Sequence, residues 1–218
     1  MTIDERLPML HGLLLLGPTG SGKSPLGDLL EKRGFNGLPC LHFDFGANLR
    51  EVAALSKPDD WATEEDITFI RRVLGEGLLL ENEHFPLAMR LLRRFVTRRK
   101  ASDETLIVFN GLPRHVGQAA DLARHVTMKL VVELACSADV VRERLRRNSG
   151  GDRTARVDDT PDLIAKKLEL YAHRTRPLID WYAQRNVPVR RVPVSAEDGP
   201  DDVYDRFVAA LSAADDSR

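Results

Sequence analysis

Cysteine is scarce in this chain, and so is any imbalance of charge. The two cysteines, Cys40 and Cys136, lack paired metal-ligand spacing. That argues against a disulfide framework or a zinc site and for reduced thiols in a cytoplasmic setting. The 32 basic and 33 acidic residues leave a formal net charge of −1, so no global field favours nucleic acid or an anionic membrane. The apolar run around Leu13 is far shorter than the ~20 residues a membrane span needs. The opening Met1–Pro8 carries Asp4, Glu5 and Arg6 and no signal-peptide architecture. Internal repeats are also missing. What is present is 218 residues with a hydrophobic fraction of 43%, enough for one large domain with insertions.

The most informative stretch runs from Leu13 to Ser24. Four leucines stop at Gly17 and give way to G-x-x-x-x-G-K-S: Gly17, Pro18, Thr19, Gly20, Ser21, Gly22, Lys23 and Ser24. This is the phosphate-binding loop pattern. Glycines let successive N–H groups turn inward as an anion nest, and a helix starting near Lys23 adds its N-terminal dipole. The Lys23 ammonium suits the outer phosphates and the Ser24 hydroxyl a Mg²⁺ ion. Pro25 lies in the first turn, where no donor is required.

Apolar runs then alternate with helix-like segments, which predicts an α/β domain on a parallel sheet with helices on both faces. Strands are expected at Gly12–Leu16, Pro39–Phe43, Leu106–Phe109, Lys129–Ala135 and Val187–Val194. The long stretch between Asp44 and Asp103, with helical patterns near Glu64–Leu74 and Phe85–Thr97, exceeds one crossover and reads as an insertion over the sheet's carboxyl edge, where ligands bind. Arg114 follows the third strand on the turn Asn110-Gly111-Leu112-Pro113, beside the phosphate loop, and Gln118 sits one helical turn later. Arginines crowd the segment from Val140 to Arg156: Arg142, Arg144, Arg146, Arg147, Arg153 and Arg156. Flanking the Gly150-Gly151 turn, they are placed to close over a triphosphate. Thr160 and Pro161 open a helix whose stripe of Ile164, Leu168, Tyr171, Leu178 and Tyr182 is expected in the core. Lys167 and Arg174 share another face, and Pro177 should kink the helix. Asp201–Leu211 reads as a closing amphipathic helix. The basic helix carrying Arg90, Arg93, Arg94, Arg98, Arg99 and Lys100 is expected to be a solvated face rather than an RNA site.

Taken in order, these motifs resemble the adenylate kinase and nucleoside monophosphate kinase family. Gly17–Ser24 resembles its phosphate loop, Gly46-Ala47-Asn48-Leu49-Arg50 its T-G-D-x-L-R, and Gly111-Leu112-Pro113-Arg114 with Gln118 its G-F-P-R-x-x-x-Q. Arg156-Val157-Asp158-Asp159 resembles R-x-D-D, and Tyr171 through Tyr182 the late helix. The resemblance implies a P-loop three-layer fold with a core of 1–43, 101–146 and 158–211. It also implies a helical acceptor-binding insertion at about 44–100 and a short lid at about 147–157. It implies ATP and Mg²⁺ as cofactors, nucleotides as the only partners, and a monomer. By it Lys23, Arg114, Arg156 and Lys167 would act on the transferring phosphates. Arg50, Arg114 and Gln118 would hold the acceptor, and Arg144 would pack on the donor adenine. Ser24 and, through water, Asn110 would serve the metal.

The chain departs from the pattern at several places. Asn110 stands where the family has the aspartate that orients Mg²⁺-bound water, so weaker Mg²⁺ binding is expected. Phe45 and Ala47 replace threonine and aspartate, Lys167 replaces an arginine, and Asn148 falls near an expected lid arginine. Two alternatives therefore stay open. One is a kinase of a small hydroxyl compound with Asp44 as general base, although Asp44 also reads as a capping residue. The other is a nucleotide-binding sensor with little transfer.

Overall fold

The computed structural model describes residues 9–151 and 160–215. One sheet of five parallel strands carries the fold: β1 (Leu10–Leu16), β2 (Cys40–Asp44), β3 (Leu106–Asn110), β4 (Val126–Ala135) and β5 (Val189–Pro193), in the order β2-β3-β1-β4-β5. Each expected strand is found, with no end displaced by more than three residues. The leucine run of β1 shows why. Leu13 and Leu15 pack on one face with Leu26 and Leu30 of α1 (Lys23–Arg33) and Phe207 of α9 (Pro200–Asp215). Leu14 and Leu16 pack on the other with Phe43, Phe109 and Leu91. Strand residues alternate between faces, so a strand covered on both faces reads as a continuous apolar run.

Between β2 and β3 lie α2 (Phe45–Ala53), α3 (Glu64–Glu76) and α4 (Phe85–Arg98). Their buried residues, among them Val52, Ile70 and Leu92, join the same core as Phe43 and Phe109. The chain continues through α5 (Val116–Leu122), α6 (Ala138–Arg147), α7 (Pro161–Leu170) and α8 (Leu178–Ala183). Thr160 caps α7 through the Leu163 N–H, with Pro161 in the first turn, as expected from its sequence. Among the described residues no helix is long and apolar enough to cross a membrane.

Two expectations change. The basic residues of α4 are only in part a solvated face, since even exposed ones among them are paired: Arg90 binds Asp66 of α3 at 2.6 Å, Arg98 binds Glu51 of α2 at 2.9 Å, and Arg99 binds Glu31 of α1 at 2.7 Å. Arg94 is buried beside Glu51. Each neighbouring helix presents a carboxylate, so the basic stripe is a clamp. The stripe on α7 is core only at its end, since Leu178 and Tyr182 are buried while Ile164, Leu168 and Tyr171 are half-exposed. A π-helical turn at Tyr171–Thr175 explains the break. It inserts extra residues into the turn before Pro177, so residues on either side of it do not share one helical face.

Close packing also fixes Gly27 on α1. A Cβ there would lie 2.4 Å from the His42 ring. Gly27→Ala is therefore expected to destabilise the protein by ~1–3 kcal/mol through overpacking, although alanine is the better helix former. Thermal denaturation checks this, and an unchanged or raised Tm would show that His42 has room to yield.

Candidate active site

The carboxyl ends of β1, β2 and β3 open into one cleft, where the chain leaves β1 in one direction and returns beside it from the other. From Leu16 it turns through the phosphate loop into α1. Gly22 caps that helix at φ 96°, a left-handed conformation that side chains resist. A helix N-terminus presents N–H groups with no partner inside the helix, and this one faces the cleft with its positive dipole end. Lys23 Nζ reaches back along the loop and donates to the carbonyls of Gly17 and Pro18, at 2.7 Å each. The expected loop residues Gly17, Thr19, Gly20, Gly22, Lys23 and Ser24 line the cleft, whereas Pro18 and Ser21 stand behind them.

Beneath the loop lies Arg144 of α6, only 2% exposed. Its Nε donates to Gly20 O at 3.0 Å, and its Nη1 donates to Ser195 O and Asp198 O at 2.7 Å each. The expected packing against an adenine gives way to a brace between the loop and the β5–α9 junction. Three converging carbonyls require a multi-donor fork, which a guanidinium supplies.

At the floor of the cleft, three polar side chains from different elements meet. Ser24 Oγ donates to Asp44 Oδ2 at 2.7 Å, and Asn110 Nδ2 donates to the same oxygen and to Ser24 Oγ at 3.0 Å each. Asp44 Oδ1 accepts from Ala47 N and so caps α2. Behind Asn110 stands His42, whose Nδ1 is 2.8 Å from Asp28 and whose Nε2 is 3.4 Å from Asn110 Nδ2. Burial pushes the Asp44 carboxyl up, but bonds from Ser24 and Ala47 and the charges of His42 and Arg50 outweigh it and hold the group below its usual range. No group of three or more His, Cys, Asp or Glu capable of holding a metal exists among the described residues. The two oxygens of Ser24 and Asp44 nevertheless fit a hard cation that takes its other ligands from phosphate and water, as Mg²⁺ usually does.

Facing the loop is a second cationic wall. Arg50 of α2 folds over Gly46, where a Cβ would lie 3.4 Å from its Nη1. Arg114 stands next to it, since a Cβ on Gly111 would lie 4.0 Å from Arg114 Nε and 3.9 Å from Gly46 N. Lys167 enters from α7. Among the described residues the charged lining is thus Lys23, Arg50, Arg114 and Lys167 against the carboxylate of Asp44. Phe45, Leu49, Val73, Leu74 and Leu78 make the remaining wall apolar.

Gln118 is not brought to this surface. It is buried, its Oε1 accepts from Arg114 N at 2.8 Å, and its Nε2 donates to Leu80 O at 2.8 Å. Its amide holds the wall from behind. Arg174, within the π-helical turn, pairs with Glu81 at 2.8 Å instead of sharing the face of Lys167. The lid expectation divides. Arg153 and Arg156 lie outside the described residues. Arg142 pairs with Asp139, while Arg146 and Arg147 both bind Glu143, which holds its carboxyl at about 2. Arg142 and Arg146 are thus committed to their own helix, and Arg147 also reaches Glu197 at 3.4 Å. Sequence offered Ser24, Asp44 and Asn110 one by one, with no sign that their side chains meet.

No protein-family profile matches the chain. It is 29% identical over 203 residues to human adenylate kinase isoenzyme 5, covering 92% of this chain but only 32% of that protein. It is 28% identical over 205 residues to the adenylate kinase of Xylella fastidiosa, covering 91% of this chain and 98% of that one. With the Thermus thermophilus adenylate kinase the identity is 29% over 208 residues, 92% and 97% of the two chains. Among solved structures, a gluconokinase from Sinorhizobium meliloti superposes with a TM-score of 0.52 at 20% identity, over 96% of this chain and 94% of its own. That likeness bears on the fold alone. On the fold of a P-loop kinase, then, this chain is similar in sequence to adenylate kinases over about nine tenths of its length.

Proposed function

We propose that the protein is a phosphotransferase that moves the γ-phosphoryl group of Mg·ATP to a nucleoside monophosphate, with AMP as the first candidate. The observation that carries this reading is the pairing of two anion sites across one cleft. The phosphate loop with Lys23 lies on one side, and Arg50 and Arg114 lie on the other. A hydrolase needs only the first site. Two facing cationic walls suit two anionic substrates whose mutual repulsion must be overcome. The similarity to adenylate kinases supports the same assignment.

In this reading the bond from the γ-phosphorus to the bridging oxygen breaks, and a bond to an acceptor phosphate oxygen forms. That oxygen is already anionic, so no protein base is required. Lys23 and Arg114 stabilise the equatorial oxygens of the transferring group. Lys167 adds charge without the bidentate fork of an arginine. Arg50 and Arg114 hold the acceptor, and the apolar wall receives its base. Ser24 would help to hold Mg²⁺, which would neutralise charge on the donor phosphates. Arg156, outside the described residues, keeps its proposed role on the transferring phosphates.

A coupled assay with ATP, Mg²⁺ and a panel of nucleoside monophosphates is expected to show acceptor-dependent ADP formation, greatest with AMP. Tight ATP binding without acceptor-dependent turnover would instead favour a nucleotide sensor. Turnover only with a non-phosphorylated hydroxyl compound would favour the second reading, in which Asp44 is the general base. The presence of that carboxylate in the cleft is the observation behind the second reading. Its depressed pKa and its bonds to Ser24, Ala47 and Asn110 make it a weak base.

A further inference from the structure

We infer that Asp44 supplies the carboxylate of the Mg²⁺ site, a charge that Asn110 beside it does not carry. Resting on the reading of the cleft as a Mg·ATP site, this assigns a metal role to a residue that the sequence offers as a capping residue or a general base. Three observations converge on it. Asp44 and Asn110 are register partners on adjacent parallel strands, so their side chains leave the sheet side by side at its carboxyl edge. Asp44 Oδ2 lies 2.7 Å from the Ser24 hydroxyl, the phosphate-loop oxygen that faces the metal. Asn110 turns its Nδ2 toward that same carboxylate, at 3.0 Å.

The last contact explains why position 110 is an amide. A second carboxylate 3.0 Å from Asp44 would repel it, and one of the two would take up a proton. An amide donates there instead, with His42 on its far side, anchored by Asp28. Among the described residues the site therefore holds one negative charge, carried on β2 and not on the neighbouring β3. On this reading Asn110 does not by itself entail weaker Mg²⁺ binding. Asp44 also cannot serve as an efficient base while it is held ionised against a hydroxyl and a cation.

The test is the reciprocal swap, read by metal binding. Manganese EPR titration, with the non-hydrolysable analogue AMP-PNP bound, reports divalent-ion affinity without turnover. Asp44→Asn keeps an oxygen to cap Ala47, so the helix start is preserved. The substitution is expected to weaken Mn²⁺ binding by ~10-fold or more. Adding Asn110→Asp to that variant returns the charge to the neighbouring strand and is expected to restore affinity to within ~3-fold of the starting protein. Wild-type Mn²⁺ affinity in Asp44→Asn overturns the inference, even if turnover collapses, because that pair of results marks a general base. Failure of the double variant to regain affinity, with a near-native Tm, overturns it too. If the unaltered protein binds no AMP-PNP, the Mg·ATP reading falls, and the assignment of Asp44 falls with it.

Discussion

Replacing Lys23 by methionine should lower phosphoryl transfer by ~10³-fold or more, with little loss of stability. The ammonium is the cation nearest the loop's own backbone, bonded to Gly17 and Pro18 at its rim. In a cleft walled by Leu15, Leu16 and Phe45, a charge aimed at developing phosphate oxygens acts through a low dielectric and requires no reorganisation. Single preorganised donors contribute about 10²–10³ in rate, and arginine fingers in phosphoryl transfer about 10³–10⁵. Methionine keeps the stem length and removes the ammonium, with its charge and its bonds to Gly17 and Pro18. Single-turnover measurement at saturating ATP isolates the step, and circular dichroism confirms the fold. A rate within tenfold of the starting protein would take the loop out of the chemistry.

The second large effect is expected at Arg114, and it should fall on transfer to the acceptor while sparing ATP binding. The residue's backbone is anchored on both sides: its N–H donates to Gln118 Oε1 at 2.8 Å, and its carbonyl accepts from Thr175 Oγ1 at 2.8 Å. Truncating the exposed side chain therefore leaves the turn in place. A charge-assisted bond to phosphate contributes about 1.5–3 kcal/mol, so Arg114→Ala should reduce kcat/KM for the monophosphate by ~10- to 150-fold. ATP affinity, measured by calorimetry, should stay within ~2-fold, since Lys23 and the loop hold the donor. Arg114→Lys should recover only part of the loss, because an ammonium cannot reproduce a bidentate fork. Equal weakening of ATP and acceptor would place Arg114 on the donor phosphates instead.

How far the chain could be read in advance depended on how local each feature is. The strands were legible because Leu13–Leu16 and Leu106–Phe109 are covered on both faces and so lack polar positions. The loop was legible because its glycines, lysine and serine act within eight residues. What escaped depended on register or on distant partners. The contact between Asp44 and Asn110 exists because β2 pairs with β3 in one particular register, which neither strand specifies alone. Arg144 reads as one more arginine in a basic run until Ser195 and Asp198 arrive from the far end of the chain. Gln118 follows Arg114 at helical spacing, yet its amide is turned inward to the Leu80 carbonyl, which the His115 ring also meets and which lies 38 residues away in the chain. The pairing of the α4 arginines was missed because their carboxylates lie on three other helices. The π-helical turn at Tyr171–Thr175 has no spacing signature beyond the proline that follows it.

The Arg144 brace also bears on the order in which the protein matures. A ribosome delivers the phosphate loop first, at roughly 5–20 residues per second, but the carbonyls that lock Arg144 under Gly20 belong to residues 195 and 198. The loop therefore waits for residues made much later in synthesis before its backbone is held in place. A chain interrupted before β5 would carry the complete loop motif without its buttress, so nucleotide affinity should emerge late in synthesis and abruptly.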